Sequence, residues 1–567
     1  MESEVTMNHL ARIATANRGR SFASWIAVFL AVAVVFPTLS RFATSADKPT
    51  IKILTPSSAK GGSATTQAGA GQAGARPDPN PSGKSERSEK SATDSTTSSR
   101  QNKARTAPKE ELFVGWPKPD IAFVLTGRQN GYIEPCGCTG LVNQKGGLSR
   151  RHTFIRELAD RGWNVVPLDV GNLVKRFGRQ SAIKFNRTVT GLTKMNYQAI
   201  GLGPDDLRLP SGELIAVMAA GESKFVSANL EIVAPEFTPL IQVIKQGGRT
   251  IGVTAILGTD EQKKLNPNDE IKWTPPTAAL PAALAKLKAA KCDILVLLAH
   301  ATIEESRELA KKFPDFHLVI TAGGADEPAY EPETVSGTST WLVQVGAKGM
   351  YAGVVGVYAV EQPFRYQRVP LDSRFKDSPD MLRLLAEYQQ LLKTEGLTGL
   401  GLKPITKEKG QDFVGSKRCA DCHTSAWEVY ENTPHSHATD TLVHPPERSD
   451  VPRIHDPECI SCHVTGWEPQ KMVPLKSGYL GLDKTPHLAG VGCENCHGPG
   501  SAHVQAEEGS STVSDDERLN LRLAMRLPLA KAEQKCLECH DIDNSPAFQH
   551  EGAFERYWKK IEHKGKD

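Results

Sequence analysis

Between residues 118 and 370, short runs of β-branched and aliphatic side chains alternate with longer stretches of helical period. Ile121–Leu125, Val165–Leu168, Phe225–Ala228, Thr250–Ile256, Ile294–Leu298 and Leu318–Ile320 read as strands. These runs are nearly continuous in apolar character, the pattern of strands covered on both faces. Arg150–Arg161, Thr277–Ala290 and Ile303–Phe313 read as helices, and the alternation predicts an α/β domain. Leu382–Lys393 has the spacing of an amphipathic connecting helix. From Asp412 onward the periodicity weakens, and turns, Gly, Pro, Cys and His take over. That last part is expected to be mostly α and loop-rich.

The N-terminal pattern is different again. Phe22–Phe36 is apolar and uncharged, follows Arg12, Arg18 and Arg20, and is closed by Pro37. The run is short against the roughly 20 residues of a membrane span. It serves equally as a signal-peptide core, with Ala43-Thr44-Ser45-Ala46 before Asp47 as a cleavage site. An uncleaved anchor and a removed signal both imply export, and the one-sided arginines keep the N-terminus inside. The expected location is therefore the periplasmic side of a bacterial inner membrane. Residues 56–110 are rich in Ser, Thr, Gly, Ala, Lys and Gln and almost lack large apolar side chains. Such a stretch buries too little surface to offset ordering and is expected to be a disordered linker. The organisation that follows is 1–46 signal or anchor, 47–115 linker, 116–370 α/β domain, 371–411 connecting helix and linker, and 412–567 the Cys/His-rich domain.

Charge changes little. A net charge of +3, from 68 basic against 65 acidic residues, gives no reason to expect nucleic acid as partner. The distribution of Cys and His changes a great deal. Of 16 histidines only His9, His152, His300 and His317 precede residue 400, and 8 of 11 cysteines lie in the tail. There, C-x-x-C-H occurs four times: Cys419/Cys422/His423, Cys459/Cys462/His463, Cys493/Cys496/His497 and Cys536/Cys539/His540. This is the spacing of c-type haem attachment. Two thiols one helical turn apart can add to the two vinyl groups of one porphyrin edge, and the adjacent histidine then supplies the proximal nitrogen to iron. Zinc or disulfides are the alternative, but four copies that each carry the trailing histidine argue against it. Four covalently attached haem c groups are expected. The second axial position has eight further histidines to draw on: His435, His437, His444, His455, His487, His503, His550 and His563. His437, His503 and His563 lead, followed by His435 and His487. A haem closed by two histidines carries electrons, whereas an open one can bind and transform a small molecule.

The stretch GSKRCADCHTSAWEVYENTPHSHATDTL from Gly415 to Leu442, with PECISCHVTGW, GVGCENCHGPGSAHV and the late KIEH, resembles the tetrahaem cytochromes of the cytochrome c-554 type, electron acceptors of hydroxylamine oxidoreductase. The resemblance covers about 412–567 and implies electron transfer. It also implies distal ligands in the regions of His435/His437, His503 and His563, and that one haem can lack a strong distal ligand.

A second resemblance covers about 118–360, to calcineurin-like metallophosphatases of the 5′-nucleotidase type, a sandwich whose strand ends hold two metals that activate water. Its ligand patterns are broken here. Arg128-Gln129-Asn130-Gly131 stands for D-x-H-G, and Asp169-Val170-Gly171-Asn172 carries Asn for the bridging Asp. Gly203-Pro204-Asp205-Asp206 stands for G-N-H-E, and Gly323-Gly324-Ala325-Asp326-Glu327 lacks both histidines of G-G-H-x-H, while His300 matches the isolated His. A guanidinium at Arg128 repels a dication, so the fold is expected to be kept and the phosphatase lost. The remaining carboxylates with His300 leave open an altered single-metal site.

Cys136 and Cys138 lie in NGYIEPCGCTGLVNQKGGLSRR, a stretch similar to one in exported metallophosphatase-like proteins. A disulfide or structural use, a redox or soft-metal role, and no role all stay open for this pair. Cys292 at a strand start reads as plain core. The leading expectation is an exported, membrane-tethered electron carrier whose partners are redox proteins or quinol-linked membrane components. The alternatives are a haem oxidoreductase acting on a small nitrogen compound, a phosphoesterase with an accessory cytochrome, and a redox sensor using Cys136/Cys138.

Overall fold

The computed structural model describes residues 110–136, 143–220, 224–266, 268–359, 363–406, 411–446 and 449–564. All of these fall in one compact unit, 101–567. The apolar run at 22–36, the linker up to 109 and Cys138 lie outside the described residues.

Two sheets stack face to face. The first has the order β11-β10-β1-β2-β3, with β1 Ile121–Thr126, β2 Val165–Asp169, β3 Ala199–Ile200, β10 Tyr351–Val357 and β11 Phe364–Pro370. In it β1, β2 and β3 run parallel, while β10 and β11 are antiparallel additions. The second has the order β8-β9-β7-β6-β5-β4, with β4 Gln242–Gln246, β5 Arg249–Leu257, β6 Ile294–His300, β7 Leu318–Thr321, β8 Glu333–Thr334 and β9 Trp341–Gln344. Its central strands β5, β6, β7 and β9 are parallel.

The period of two along each strand sorts the core into layers. Ile121, Phe123 and Leu125 of β1 meet Ile294, Val296 and Leu298 of β6 between the sheets. Val124 points the other way, into a core shared with helices α1 Leu148–Asp160 and α2 Arg179–Lys194. Leu295, Leu297 and Ala299 of β6 face α3 Pro276–Ala289 and α4 Ile303–Lys312. The result is a four-layer α/β sandwich in which each buried Leu, Ile or Phe contributes about 1.5–3 kcal/mol.

One expected strand is absent. Phe225–Ala228 forms only a single bridge, Phe225 to Ile200. Phe225 and Val226 are buried in different cores, so burial explains their apolar character without a ladder. The Asn229 side chain, donating to the Leu257 carbonyl at 2.8 Å and accepting the Leu257 N–H at 2.9 Å, turns the chain away. Strands β3, β4 and β8 to β11 are additional to those the sequence pattern predicts. Gly353 and Gly356 interrupt the β10 pattern because Tyr366 lies over the first and Trp116 over the second.

The helical span α5, Pro379–Gly399, contains the amphipathic stretch, extends it at both ends and is broken by a kink at Gly396 (φ 59°). Its Met381, Leu384, Leu385, Tyr388 and Leu392 enter the core beneath α1 and α2. Beyond it the chain forms short helices and one two-stranded ladder, Trp467–Glu468 with Val473–Pro474. The apolar core of that region is small: Leu442, Ile460, Val464, Trp467, Tyr479 and Leu488. Among the described residues no helix is long and apolar enough to cross a membrane.

Candidate functional site: clustered Cys-His motifs and an altered cleft

Each C-x-x-C-H motif is built on a helical turn, which puts residues i, i+3 and i+4 on one face. Pro457–His463 and Cys493–His497 are helices that contain the second and third motifs. Ser416–Ala420 and Leu529–Cys536 carry the first cysteines of the other two. Asp456 caps the second of these turns by accepting the Glu458 N–H. A cavity of about 760 Å³ is lined by Cys459, Cys462, His463, Cys496, His497, Cys536, Cys539 and His540. Three motifs therefore open on one space. The Cys419 thiol lies in hydrogen-bond contact with Cys493, which lowers the pKa of Cys493 and raises that of Cys419, and Cys462 and Cys539 are related in the same way. Motif one thus faces motif three, and motif two faces motif four.

The four motifs differ in exposure. Cys422 is exposed, whereas Cys419 and the six cysteines of the other motifs are partly buried. The cause is local. The helix carrying Cys419 ends at Ala420, so Cys422 lies on the turn beyond it, next to the exposed Asp421. The turn keeps its backbone bonds, from the Cys422 and His423 N–H groups to the Cys419 carbonyl at 3.2 and 3.0 Å. The spacing needed for attachment is therefore retained, but Cys422 is placed at the surface and not in the shared cavity.

Three imidazole pairs stand out. His423 and His503 have ring centres 6.3 Å apart, His435 and His540 6.0 Å, and His497 and His563 5.8 Å. A metal ion between two imidazoles, at about 2 Å from each nitrogen, separates ring centres by about 6 Å. In three of these six rings, and in His463, the other ring nitrogen is held. Nδ1 of His497 lies 2.6 Å from the Met525 carbonyl, that of His540 2.9 Å from Ser545 Oγ, and that of His563 2.8 Å from the Ile561 carbonyl. His463 Nδ1 lies 2.8 Å from the Ala438 carbonyl. Such contacts fix the tautomer and leave Nε2 for a metal. Burial pushes the pKa of His435 down to about 4, which keeps it neutral and able to ligate. His503 Nδ1 is buried with no hydrogen-bond partner among the described residues. The residues present thus fit iron-bound haem: opposed imidazoles, thiols at the attachment spacing and a cavity between motifs.

Of the distal candidates, His503, His563 and His435 each face a motif histidine. His437 is exposed beside Asp440, and His487 lies against Gly415. The Nδ1 acceptors at Met525, Ala438 and Ser545 were not anticipated, because they come from segments without a local signature.

The second constellation lies where β1, β2, β6 and β7 end, the edge at which open α/β sheets hold ligands. Arg128 sits there at φ 48°, with Asn130 at 55° and Asn172 at 62°. Left-handed backbone at several non-glycine residues marks a shaped site. Gly171 beside them is obligatory, since a Cβ would come within 2.7 Å of the Leu202 backbone. The Arg128 guanidinium donates to the Gly324 and Ala325 carbonyls at 3.1 Å and pairs with Asp326 at 3.2 Å. Asn172 donates to Asp205 at 3.1 Å and to Asn130 at 2.9 Å. Asp206 accepts from the N–H groups of Asn172, Gly203 and Val174, and burial lifts its pKa to about 7. Asp169 is buried, which raises its pKa, and accepts from Thr126 at 2.6 Å with Arg151 at 3.9 Å. The pKa of His300 is pushed down to about 4 by burial, its Nδ1 3.2 Å from the Val170 carbonyl. Glu327 accepts from Tyr351 at 2.5 Å and from Lys145 at 3.3 Å. Every carboxylate here is engaged by a protein donor. Among the described residues no group of three or more His, Cys, Asp or Glu is assembled for a metal. The fully buried Arg151 supplies positive charge beneath the cleft; its one sequence signal was its place in the G-G-L-S-R-R run.

Cys136 ends a two-residue strand and is buried against Met350 and Tyr351. Cys292 is partly buried on the α3–α4 side of the second sheet.

The sequence of the last third matches known proteins. Residues 418–498 match the family described as cytochrome c554 and c-prime. That family carries covalently bound haem c. Cytochrome c-554 of Nitrosomonas europaea is 29% identical over 154 residues, covering 24% of this chain and 60% of that protein. An apyrase of Tabanus yao is 22% identical over 285 residues, covering 46% of this chain and 51% of that one. The chain thus spans little more than half the length of these curated relatives. Among solved structures, a 5′-nucleotidase precursor of Thermus thermophilus aligns with a TM-score of 0.42 at 18% identity, covering 57% of this chain and 66% of that one. A c554-like segment is therefore joined to an α/β sandwich domain in a chain that also shares sequence with an apyrase.

Proposed function

We propose that the protein is an exported c-type cytochrome with four haems that relays single electrons between redox partners. The haems are held at Cys419/Cys422/His423, Cys459/Cys462/His463, Cys493/Cys496/His497 and Cys536/Cys539/His540. The observation that carries this reading is the set of three imidazole pairs at 5.8–6.3 Å. Haem c stores one electron at a time on iron, and two imidazole ligands leave that iron no open position for a substrate. The histidines at 503, 435 and 563 supply the distal nitrogens, and Met525, Ser545 and Ile561 orient three of the six rings through Nδ1. Partners are redox proteins or quinol-linked membrane components, with the N-terminal segment as tether.

The α/β domain keeps its fold without two-metal hydrolysis. Arg128 places a fixed cation among the strand-end residues, and Asn172 stands where the related enzymes bridge two metals with Asp.

Low-temperature EPR on the oxidised, full-length protein tests the relay. Low-spin ferric signals from at least three haems are expected. A spectrum dominated by high-spin ferric iron that shifts with an added small ligand would overturn it in favour of catalysis.

A further inference from the structure

The α/β domain touches the Cys/His-rich region at a specific place, the turn that follows the fourth motif. The Tyr132 hydroxyl donates to Asp543 Oδ2 at 2.6 Å, and Lys348 Nζ donates to Asp543 Oδ1 at 2.5 Å. Lys348 also reaches Asp326 Oδ2 at 3.4 Å, and the other oxygen of Asp326 pairs with Arg128 at 3.2 Å. The Lys348 side chain is 14% exposed and that of Asp543 31%. Burial opposes the charge on Lys348, yet Asp543 holds the ammonium more firmly protonated than usual.

Asp543 belongs to a tight turn. Asp541 Oδ1 accepts from the N–H groups of Asp543 and Asn544 at 3.0 and 2.8 Å, and the Ser545 N–H bonds the Asp541 carbonyl at 2.8 Å. Ser545 Oγ then lies 2.9 Å from His540 Nδ1. Asn544 and Ser545 line the cavity together with Cys536, Cys539 and His540. Two residues of the α/β domain are thus connected, through one carboxylate and one turn, to the hydrogen bond on a motif histidine. Groups at this remove orient a ligand and tune the metal it binds, and partly buried charges are screened far less than exposed ones.

We propose that Lys348 and Tyr132 are positioning residues for the haem c of the fourth motif, and that the Lys348–Asp543 pair sets its reduction potential. The proposal rests on the haem reading given above. It assigns the α/β domain a role: it forms part of the electrostatic wall of one redox centre. The sign follows from charge. A nearby cation disfavours the more positive ferric state and raises the potential, whereas a nearby carboxylate lowers it.

Spectroelectrochemical titration of the full-length holoprotein tests this. Lys348→Met is expected to move one of the titrating haems to lower potential, and Asp543→Asn to move one to higher potential. Lys348→Arg, which keeps the cation, should stay near the parent. Lys263→Met, which removes a charge from the exposed Lys263–Asp260 pair on the α/β domain, should leave all potentials in place. Shifts of the same sign in Lys348→Met and Asp543→Asn would indicate a merely loosened turn and overturn the proposal. Unmoved potentials would overturn it too. Intact mass separates this from the haem reading. A holoprotein carrying four haems with unmoved potentials refutes the electrostatic role alone, and one lacking haem on Cys536 and Cys539 refutes the assignment of that motif.

Discussion

At the residue scale, the decisive feature is which histidine stands opposite which. His503 follows the third motif yet faces His423 of the first, and His435 follows the first yet faces His540 of the fourth. His503→Ala should therefore convert one haem from low to high spin, seen by EPR and by the optical spectrum, whereas His437→Ala should leave both spectra unchanged. If His503→Ala leaves the spin state untouched, the pairing is wrong. His300 yields a prediction of a different kind. Its pKa falls from an ordinary 6.5 to about 4 on burial, so the unfolded chain binds the proton more readily than the native state does. The corresponding stability is fully present above about pH 6.5 and is lost as pH falls through about 4; in full it amounts to roughly 3 kcal/mol. His300→Gln should flatten the pH dependence of chemical denaturation between pH 7 and 4. Candidate histidines were legible as a set, but choosing among them was not: His435 and His437 differ by two positions and only one faces a partner. The exposure of Cys422 was equally hidden, since all four motifs read alike in sequence.

At the element scale, the strands that were legible are those with both faces buried, such as β6, where every position up to Ala299 is apolar. Strand β10 was not, because its glycines make room for aromatic rings and blur the pattern. The segment Phe225–Ala228 misled for the opposite reason: apolar side chains were buried without a ladder. Helix α5 supplies a quantitative check. Leu384 is 1% exposed beneath α1 and α2, and Leu384→Ala should cost about 2–5 kcal/mol in guanidinium unfolding. Leu391, two turns on at the edge of the same stripe, is 38% exposed, and Leu391→Ala should cost less, about 1 kcal/mol or below. Equal effects at the two positions would mean that the helix does not pack into this core.

At the scale of the whole molecule, the α/β domain and the Cys/His-rich region hold one another through charged and polar contacts near the second and fourth motifs. Lys184 donates to Glu458 at 2.5 Å, Gln180 and Gln389 both donate to Asp456, and the guanidinium of the nearly buried Arg453 pairs with Glu134. Glu458 and Asp456 lie just before Cys459, so this contact supports a motif directly. Lys184→Met should leave Glu458 a half-buried charge with weaker compensation, lowering the thermal midpoint of the holoprotein. The altered cleft predicts a chemical outcome as well. Purified protein with added Mn²⁺ should show no metal-dependent hydrolysis of nucleotides or simple phosphoesters. Robust turnover that a chelator abolishes would reverse that reading.

By itself the sequence determined the four C-x-x-C-H spacings and the layered α/β pattern, because both depend on short runs. A C-x-x-C-H motif needs one helical turn, and a buried strand needs alternating contacts over a few residues. The broken ligand patterns were equally readable, since each is a local run. Only the tertiary structure decided which histidines meet, which motif cysteine stands at the surface, what engages the carboxylates of the cleft, and that Tyr132 and Lys348 reach the turn after His540. Those outcomes depend on side chains from distant segments converging at hydrogen-bond or metal-bond distance, which no local spacing encodes.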